Sequence, residues 1–223
     1  MESNTVSFSL LELFKMGGIF MWPLLAFSVA AITIGVERAI YFIYHSLEIG
    51  DLGSKTSEMM KNGDYQGAAE YLSALTKRRM GARVLLALVN RAADSAKPGS
   101  GKAFSEHHAE RAVETEAMSC INSMENGFNF LVALGSLSPL TGFLGTVSGM
   151  IGAFKSIAEA TEVNAQIVAN GIYEALITTV FGLIIAIIAM IFHSIFSHIV
   201  DKFAAEIETT CSNLIAEIAD RQP

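Results

Sequence analysis

The sequence is poor in charge and in cysteine. Charged residues make up 17% of its 223 residues, below the roughly 25% usual for soluble domains. The net charge is -7 and no basic patch is interleaved with aromatic residues, which argues against a nucleic-acid-binding protein. The two cysteines, Cys120 and Cys211, lie far apart beside charged segments. We therefore expect reduced thiols, with neither a disulfide framework nor a metal site, and no cofactor.

Apolar residues are abundant instead. They make up 52% of the chain, and the mean hydropathy is +0.44, which favours an integral membrane protein. Three apolar runs, residues 19–45, 127–155 and 167–196, are long enough to cross a bilayer as helices. The start of the chain lacks the positive region of a secretory signal peptide, so we expect the first run to be retained. The sequence predicts an all-α fold with three transmembrane helices.

The remaining segments connect these runs. Residues 1–18 are predicted to form an amphipathic segment on the outer surface, and residues 156–166 an outer loop. Apolar residues repeat in a near-heptad pattern from Phe196 to Ile218, so residues 197–223 should continue the third run as a helix into the cytoplasm. Lysines and arginines are concentrated in residues 46–126. The positive-inside rule therefore places that insertion in the cytoplasm and the amino terminus outside.

The insertion is expected to be helical. The pattern predicts helices over residues 58–75, 79–93 and 102–126, the last running straight into the second transmembrane helix. One fragment resembles half of a tetratricopeptide repeat, but no second copy exists, which excludes a solenoid.

The first run carries residues typical of a membrane interface. Trp22 lies near one end and Tyr41 near the other, as expected for aromatic residues at the two headgroup layers. We expect Arg38 to extend to the inner headgroups, and Glu37 to pair with a neighbouring helix.

The second run is too polar and too rich in glycine to face only lipid. Within residues 131–154, small residues allow other backbones to approach closely, and we predict packing roles for Gly142, Gly145, Gly149 and Gly152. Thr146 adds a hydroxyl at membrane depth. Such hydroxyls either line a watery path or bond to a carbonyl of their own helix, and both interpretations stay open here.

The third run contains a carboxylate. Glu174 lies about two turns inside it, where an unpaired charge costs a few kcal/mol, so it is a functional candidate by default. Thr178 lies on the same helix face, and Thr179 lies about 100° further round. A protonated Glu174 bonded to a neighbouring helix, or one at the outer interface, is the structural alternative.

Two motifs carry a resemblance to a known family. The sequences GFLGTVSGMIGAF (residues 142–154) and NGIYEALITTVFGLIIAI (residues 170–187) are similar to those of the ExbB/TolQ/MotA proton-channel subunits. Three spans with the amino terminus outside resemble ExbB and TolQ more than MotA. Prolines that are common in the third span of the family are absent, which should straighten this helix.

The resemblance implies a function and partners. Thr146, Thr179 and Glu174, with the neighbouring Thr178, would line the lumen of a homo-oligomeric ring, a pentamer, in the bacterial inner membrane. The lumen would hold single-span helices of an ExbD- or TolR-like partner, whose membrane aspartate carries the proton. The ring would energise a TonB- or TolA-like envelope protein. The residues alone do not decide whether the transported ion is a proton or sodium.

Two other functional classes compete with this hypothesis. A non-conducting scaffold would assemble a membrane complex, and substitutions of the threonines would then change stability rather than activity. A membrane enzyme lacks support, because the sequence has no nucleophile–base arrangement, phosphate loop or metal-ligand spacing.

Overall fold

The computed structural model describes residues 14–96, 104–159 and 165–220, and most of these residues are helical. The helices are α1 Met21–Tyr44, α2 Gly50–Lys61, α3 Tyr65–Leu75, α4 Met80–Ala96, α5 Glu106–Met124, α6 Phe128–Glu159 and α7 Ala165–Ala219. Three of them are long and apolar enough to cross a membrane: α1, α6 and the stretch Gly171–Ala219 of α7. For the described residues, the predictions of an all-α protein and of three helices suited to span a membrane are confirmed. Most of the amphipathic segment predicted at 1–18, and residues 160–164 of the predicted outer loop, lie outside the described residues.

The chain divides into two compact units. The first unit combines the chain up to Val36 with Gly127–Ser194, and the second combines Glu37–Asn126 with Ile195–Pro223. In the first unit, Met21 and Leu24 of α1 form an apolar cluster with Ile177 and Ile185 of α7. This cluster fixes the start of α1 against α7.

Helix α7 is continuous over 55 residues. At a rise of about 1.5 Å per residue it is far longer than the roughly 30 Å hydrocarbon core of a bilayer. The seven apolar residues of the predicted seam are all buried: Phe196, Val200, Phe203, Ile207, Cys211, Leu214 and Ile218. The continuation of the third run as a helix is therefore observed.

The helix predicted over residues 58–75 is instead two helices. Gly63 adopts a φ of +76°, a left-handed conformation that ends α2 at little cost. The Asp64 carboxylate then accepts a hydrogen bond of 2.8 Å from the Gly67 N–H and caps the start of α3. The Asn62–Gly63 dipeptide is a turn signal in the sequence, which the prediction from helical periodicity did not use.

The helix predicted over residues 102–126 does not run straight into the second span. Helix α5 ends at Met124, and Gly127 has a φ of +89° before α6 begins at Phe128. An L-residue with a side chain rarely adopts this conformation, so the glycine is what lets the chain turn here. Helix α6 then extends to Glu159, beyond the predicted end of the span at residue 155.

Polar pairs connect helices of the second unit. Arg83 of α4 and Glu116 of α5 form an ion pair of 2.5 Å. Nearby, Cys120 is buried, and burial raises the pKa of its thiol. Glu217 of α7 accepts a hydrogen bond of 2.7 Å from the Ser57 hydroxyl of α2.

Candidate functional site

Glycines bring α6 and α7 of the first unit into close contact. A Cβ atom on Gly142 would lie 2.8 Å from the Thr178 carbonyl oxygen and 3.0 Å from the Thr179 Cα. A Cβ on Gly149 would lie 3.0 Å from the Gly171 carbonyl oxygen, and one on Gly145 would lie 2.5 Å from the Thr178 hydroxyl. The three glycines, each predicted to have a packing role, therefore allow α6 and α7 of one chain to pack closely.

The fourth predicted packing glycine differs from the others. A Cβ on Gly152 would meet no atom within 4 Å among the described residues. Gly152 lines an open cavity instead, so the expected packing contact is absent in the single chain.

The close contact brings two threonine hydroxyls together. The Thr146 and Thr179 oxygens lie 2.6 Å apart, a short hydrogen bond between α6 and α7. Each hydroxyl also lies within reach of the Gly142 carbonyl, at 3.1 Å for Thr146 and 3.2 Å for Thr179. Both side chains are half-buried. We call Thr146 and Thr179 the hydroxyl pair.

The hydroxyl pair has two equivalent hydrogen-bond arrangements. Each hydroxyl has one proton to donate. Either Thr146 donates to the Gly142 carbonyl and Thr179 donates to Thr146, or the two roles are exchanged. The pair can therefore reverse its direction of donation without moving a heavy atom. It can orient a water or an ion hydrated by water, but neither hydroxyl titrates in the physiological range.

Thr178 is buried, whereas its neighbour Thr179 is half-buried. It is 1% exposed, and its hydroxyl donates to the Ala175 carbonyl at 2.8 Å, with the Gly142 carbonyl at 3.2 Å as a second acceptor. A side chain buried between α6 and α7 is not available to a lumen, so the predicted lumen role of Thr178 is corrected to helix packing.

Other hydroxyls of α6 bond within their own helix. Ser136 donates to the Val132 carbonyl at 3.1 Å, and Thr141 donates to the Leu137 carbonyl at 2.9 Å. These two hydroxyls therefore bond to a carbonyl of their own helix, which was the alternative to lining a watery path.

Glu174 lies away from the hydroxyl pair. Glu174 lies five positions before Thr179, which places the two about 140° apart around the helix. Its half-buried carboxylate packs against Gly18, just before α1, and lines a cavity of about 310 Å³. Gly18 was not among the predicted site residues, although two consecutive glycines directly before an apolar run indicate a tight backbone turn.

The Arg38 guanidinium is bound by other groups of the chain. Arg38 is 6% exposed, and its guanidinium donates to the Ser123 carbonyl at 3.0 Å and the Met124 carbonyl at 3.4 Å. These carbonyls belong to the last turn of α5, where no intrahelical donor is available. Glu37, predicted to pair with another helix, pairs with Arg38 itself at 2.5 Å. Arg38 thus caps a helix C-terminus.

The two aromatic interface residues make local ring contacts. The Tyr41 ring lies 4.8 Å from the Arg38 guanidinium carbon, a cation–π contact. Trp22 is 65% exposed and packs edge-on against Phe14, with ring centroids 5.5 Å apart. Their placement at a membrane interface stays a prediction.

The described residues also bear on metal binding. Among them, no group of three or more histidine, cysteine, aspartate or glutamate side chains is placed to hold a metal ion.

Comparison with known proteins relates the site to a family. The MotA/TolQ/ExbB proton channel family matches residues 78–209, more than half of the chain and including the hydroxyl pair. A putative biopolymer transport protein, ExbB-like 1, of Synechocystis is 31% identical over 213 residues, covering 88% of this chain and 75% of that protein.

Two further relatives match over shorter stretches. The biopolymer transport protein ExbB of Salmonella typhimurium is 30% identical over 131 residues, which cover 57% of this chain and 54% of that protein. The match thus spans about half the length of that relative. The Tol-Pal system protein TolQ of Haemophilus influenzae is 46% identical over 70 residues, 31% of each chain.

Proposed function

Because the chain belongs to the MotA/TolQ/ExbB proton channel family, we propose that it is an ExbB/TolQ-like subunit of a motor in the bacterial inner membrane. The motor is driven by the proton-motive force. The subunit crosses the membrane three times with its amino terminus outside. Copies assemble into a ring, a pentamer, that couples ion flow to work on an envelope machine of the TonB or Tol type.

The observation that carries the proposal is the hydroxyl pair. It lies between two membrane-spanning helices, is only half-buried in the single chain, and has interchangeable donors. In the ring, the exposed side of the pair faces the lumen, together with the mouth of the Glu174 cavity. Hydroxyl oxygens in such a lumen solvate a passing ion without trapping it, because they carry no charge.

The ion carrier belongs to another chain. Hydroxyls alone do not take a proton across the hydrocarbon core, and Glu174 is one carboxylate near one end of its span. An ExbD- or TolR-like partner, with one membrane helix and an aspartate at membrane depth, supplies the missing titratable group. The partner helix occupies the lumen, where the aspartate passes the hydroxyl pair.

The test is proton entry into liposomes that contain the chain and its single-span partner, driven by an imposed membrane potential. Thr146→Val and Thr179→Val preserve side-chain shape but remove the hydroxyls. We expect each to lower the initial rate of entry by about tenfold, the effect of about 1.4 kcal/mol on the barrier. Thr141→Val is the matched control, since that hydroxyl bonds its own helix. Undiminished entry in both pair variants, with the complex intact, rejects the lumen role.

The scaffold alternative makes a different prediction. If the chain assembles a complex without conducting, the two pair variants should lose stability while any residual proton entry stays at the rate of empty liposomes. Measuring the mass of the intact complex together with the rate of entry separates the two functions. Repeating the measurement with a sodium gradient identifies the ion.

A further inference from the structure

Three consecutive basic residues lie in the turn between α3 and α4. Lys77 and Arg78 are exposed, and Arg79 is half-buried. The Arg79 guanidinium lies 3.8 Å from the Asp51 carboxylate. Within the part of the chain that the structure describes, Lys77 and Arg78 form no ion pair. We call Lys77, Arg78 and Arg79 the basic turn.

Backbone contacts hold the basic turn at the end of α1. The Ser46 N–H donates to the Arg78 carbonyl at 3.0 Å, and Ser46 pairs with Arg79 in an isolated parallel bridge. Ser46 follows Tyr44, the last residue of α1, by two positions, which is at most about 7 Å of chain. The 24 residues of α1 are about 36 Å long, slightly more than the roughly 30 Å of hydrocarbon in a bilayer. When α1 crosses a membrane, the basic turn therefore lies at the level of the phospholipid headgroups.

Hydrogen bonds within the chain fix the backbone of the basic turn. The N–H groups of Arg78 and Arg79 both donate to the Leu75 carbonyl, at 3.0 and 2.9 Å. The Arg79 carbonyl accepts a hydrogen bond of 3.2 Å from the Ala82 N–H in the first turn of α4. Met80, directly after the basic turn, is buried. A ligand that binds here orders side chains only, so its affinity is not reduced by the cost of ordering backbone.

The last turn of α1, next to the basic turn, exposes two large side chains. Ile43 is 84% exposed and Tyr44 is 63% exposed. Tyrosine is typical of a membrane interface, where its ring contacts lipid and its hydroxyl contacts water. Cations beside an apolar surface match a phospholipid, which has both a phosphate and acyl chains. Inorganic phosphate or a soluble acidic peptide would leave Ile43 uncovered.

We propose that the basic turn binds the headgroup phosphate of an anionic phospholipid of the phosphatidylglycerol class, whose acyl chains contact the end of α1. The planar guanidinium of Arg78 donates to two phosphate oxygens, and Lys77 adds a second positive charge. Arg79 contributes less, because Asp51 neutralises part of its charge. This inference rests on the proposed function only in placing α1 across a membrane, and it requires no ion flow.

The site is tested by native mass spectrometry of the full-length chain in detergent, titrated with phosphatidylglycerol or with phosphatidylcholine. We expect Lys77→Gln/Arg78→Gln to weaken the binding of phosphatidylglycerol about 25-fold, since each basic residue near an anionic lipid surface contributes a factor of about five. Binding of phosphatidylcholine, which has no net charge, should change little. The parent's affinity for phosphatidylglycerol in the double variant would overturn the proposal.

The matched control is Arg91→Gln/Arg111→Gln, which removes the same charge from two exposed arginines. Arg91 lies 11 residues along α4 from Met80, about 16 Å from the basic turn. Arg111 lies nine residues along α5 from Cys120, whose thiol contacts the Met80 carbonyl, and is therefore also distant. We expect this control to bind phosphatidylglycerol as the parent does. A loss equal to that of Lys77→Gln/Arg78→Gln would show that net charge alone attracts the lipid, and would overturn the site.

Competition distinguishes the lipid from a free phosphate. Glycerophosphoglycerol carries the same headgroup without acyl chains, and in large molar excess it should leave bound phosphatidylglycerol in place. Ile43→Ser should weaken phosphatidylglycerol binding severalfold, because the acyl chains lose an apolar contact. Displacement by the headgroup alone, or an unchanged affinity in Ile43→Ser, would overturn the assignment to a lipid.

Lipid binding is measured without a partner chain and without ion flow, so the two proposals fail separately. A chain that binds phosphatidylglycerol through the basic turn but supports no proton entry with its partner rejects the proposed function and supports the headgroup site. Normal proton entry, with the lipid affinity of Lys77→Gln/Arg78→Gln equal to that of the parent, supports the function and rejects the headgroup site.

Discussion

Replacing Gly142 by alanine is expected to push α6 and α7 apart at the hydroxyl pair. The new Cβ would lie 2.8 Å from the Thr178 carbonyl oxygen, whereas ordinary contact begins at 3.4 Å, so the helices must separate by about 0.6 Å. The obstacle is backbone, which cannot rotate away as a side chain can. A shift of that size along the axis of the hydroxyl pair would lengthen its 2.6 Å contact to about 3.2 Å, past the usual range for two hydroxyls.

The magnitude follows from comparison with Gly152→Ala. Both substitutions gain up to about 1 kcal/mol of helix propensity, so this effect cancels between them. Only Gly142→Ala overpacks the helix contact, which costs about 1–3 kcal/mol. We therefore expect Gly142→Ala to be less stable than Gly152→Ala by that amount.

Unfolding by dodecyl sulfate in mixed micelles measures the difference. Trp22, the only tryptophan of the chain, lies in the first unit and provides the fluorescence signal. A difference below about 0.5 kcal/mol, the range of ordinary surface substitutions, would refute the close approach of α6 and α7 at Gly142.

Three further predictions concern other parts of the chain. Arg38→Ala should destabilise the chain by about 1–3 kcal/mol and speed hydrogen exchange at the end of α5, because the buried Met124 carbonyl and the part-buried Ser123 carbonyl lose their donor. Arg38→Lys should restore only part of this protection. Gly127→Ala should cost about 1–2 kcal/mol in unfolding measurements through its left-handed backbone, whereas Gly50→Ala should not. Because burial raises the Cys120 pKa, the folded chain holds the thiol proton more tightly. Stability should therefore fall as pH rises above the ordinary thiol pKa, and Cys120→Ala should reduce this slope.

The long apolar elements could be predicted from the sequence because their signal is spread over many residues. The three spans and the seam from Phe196 to Ile218 each rest on repeated apolar positions, so no single residue decides them. The breaks at Gly63 and Gly127 depend on one backbone angle each. Both lie in Asn-Gly dipeptides, which are turn signals in the sequence, but a prediction based on helical periodicity alone did not use them.

The site could be predicted in composition but not in orientation. Membrane helices are apolar on all sides, so periodicity does not fix which face turns inward. That is why Thr178 and Thr179, adjacent in sequence, had the same predicted role although one is buried and the other half-buried. Arg38 finds its acceptors 85 and 86 residues away, beyond any local pattern.

The claim that ions pass beside the hydroxyl pair is tested most directly by blocking that point chemically. Thr179→Cys in the complex with its partner is treated with a cationic methanethiosulfonate, and modification is verified by mass. The account predicts that proton entry into liposomes stops on modification, while the same treatment of Thr141→Cys leaves entry unchanged. Full proton entry through a complex whose residue 179 is completely modified would contradict it.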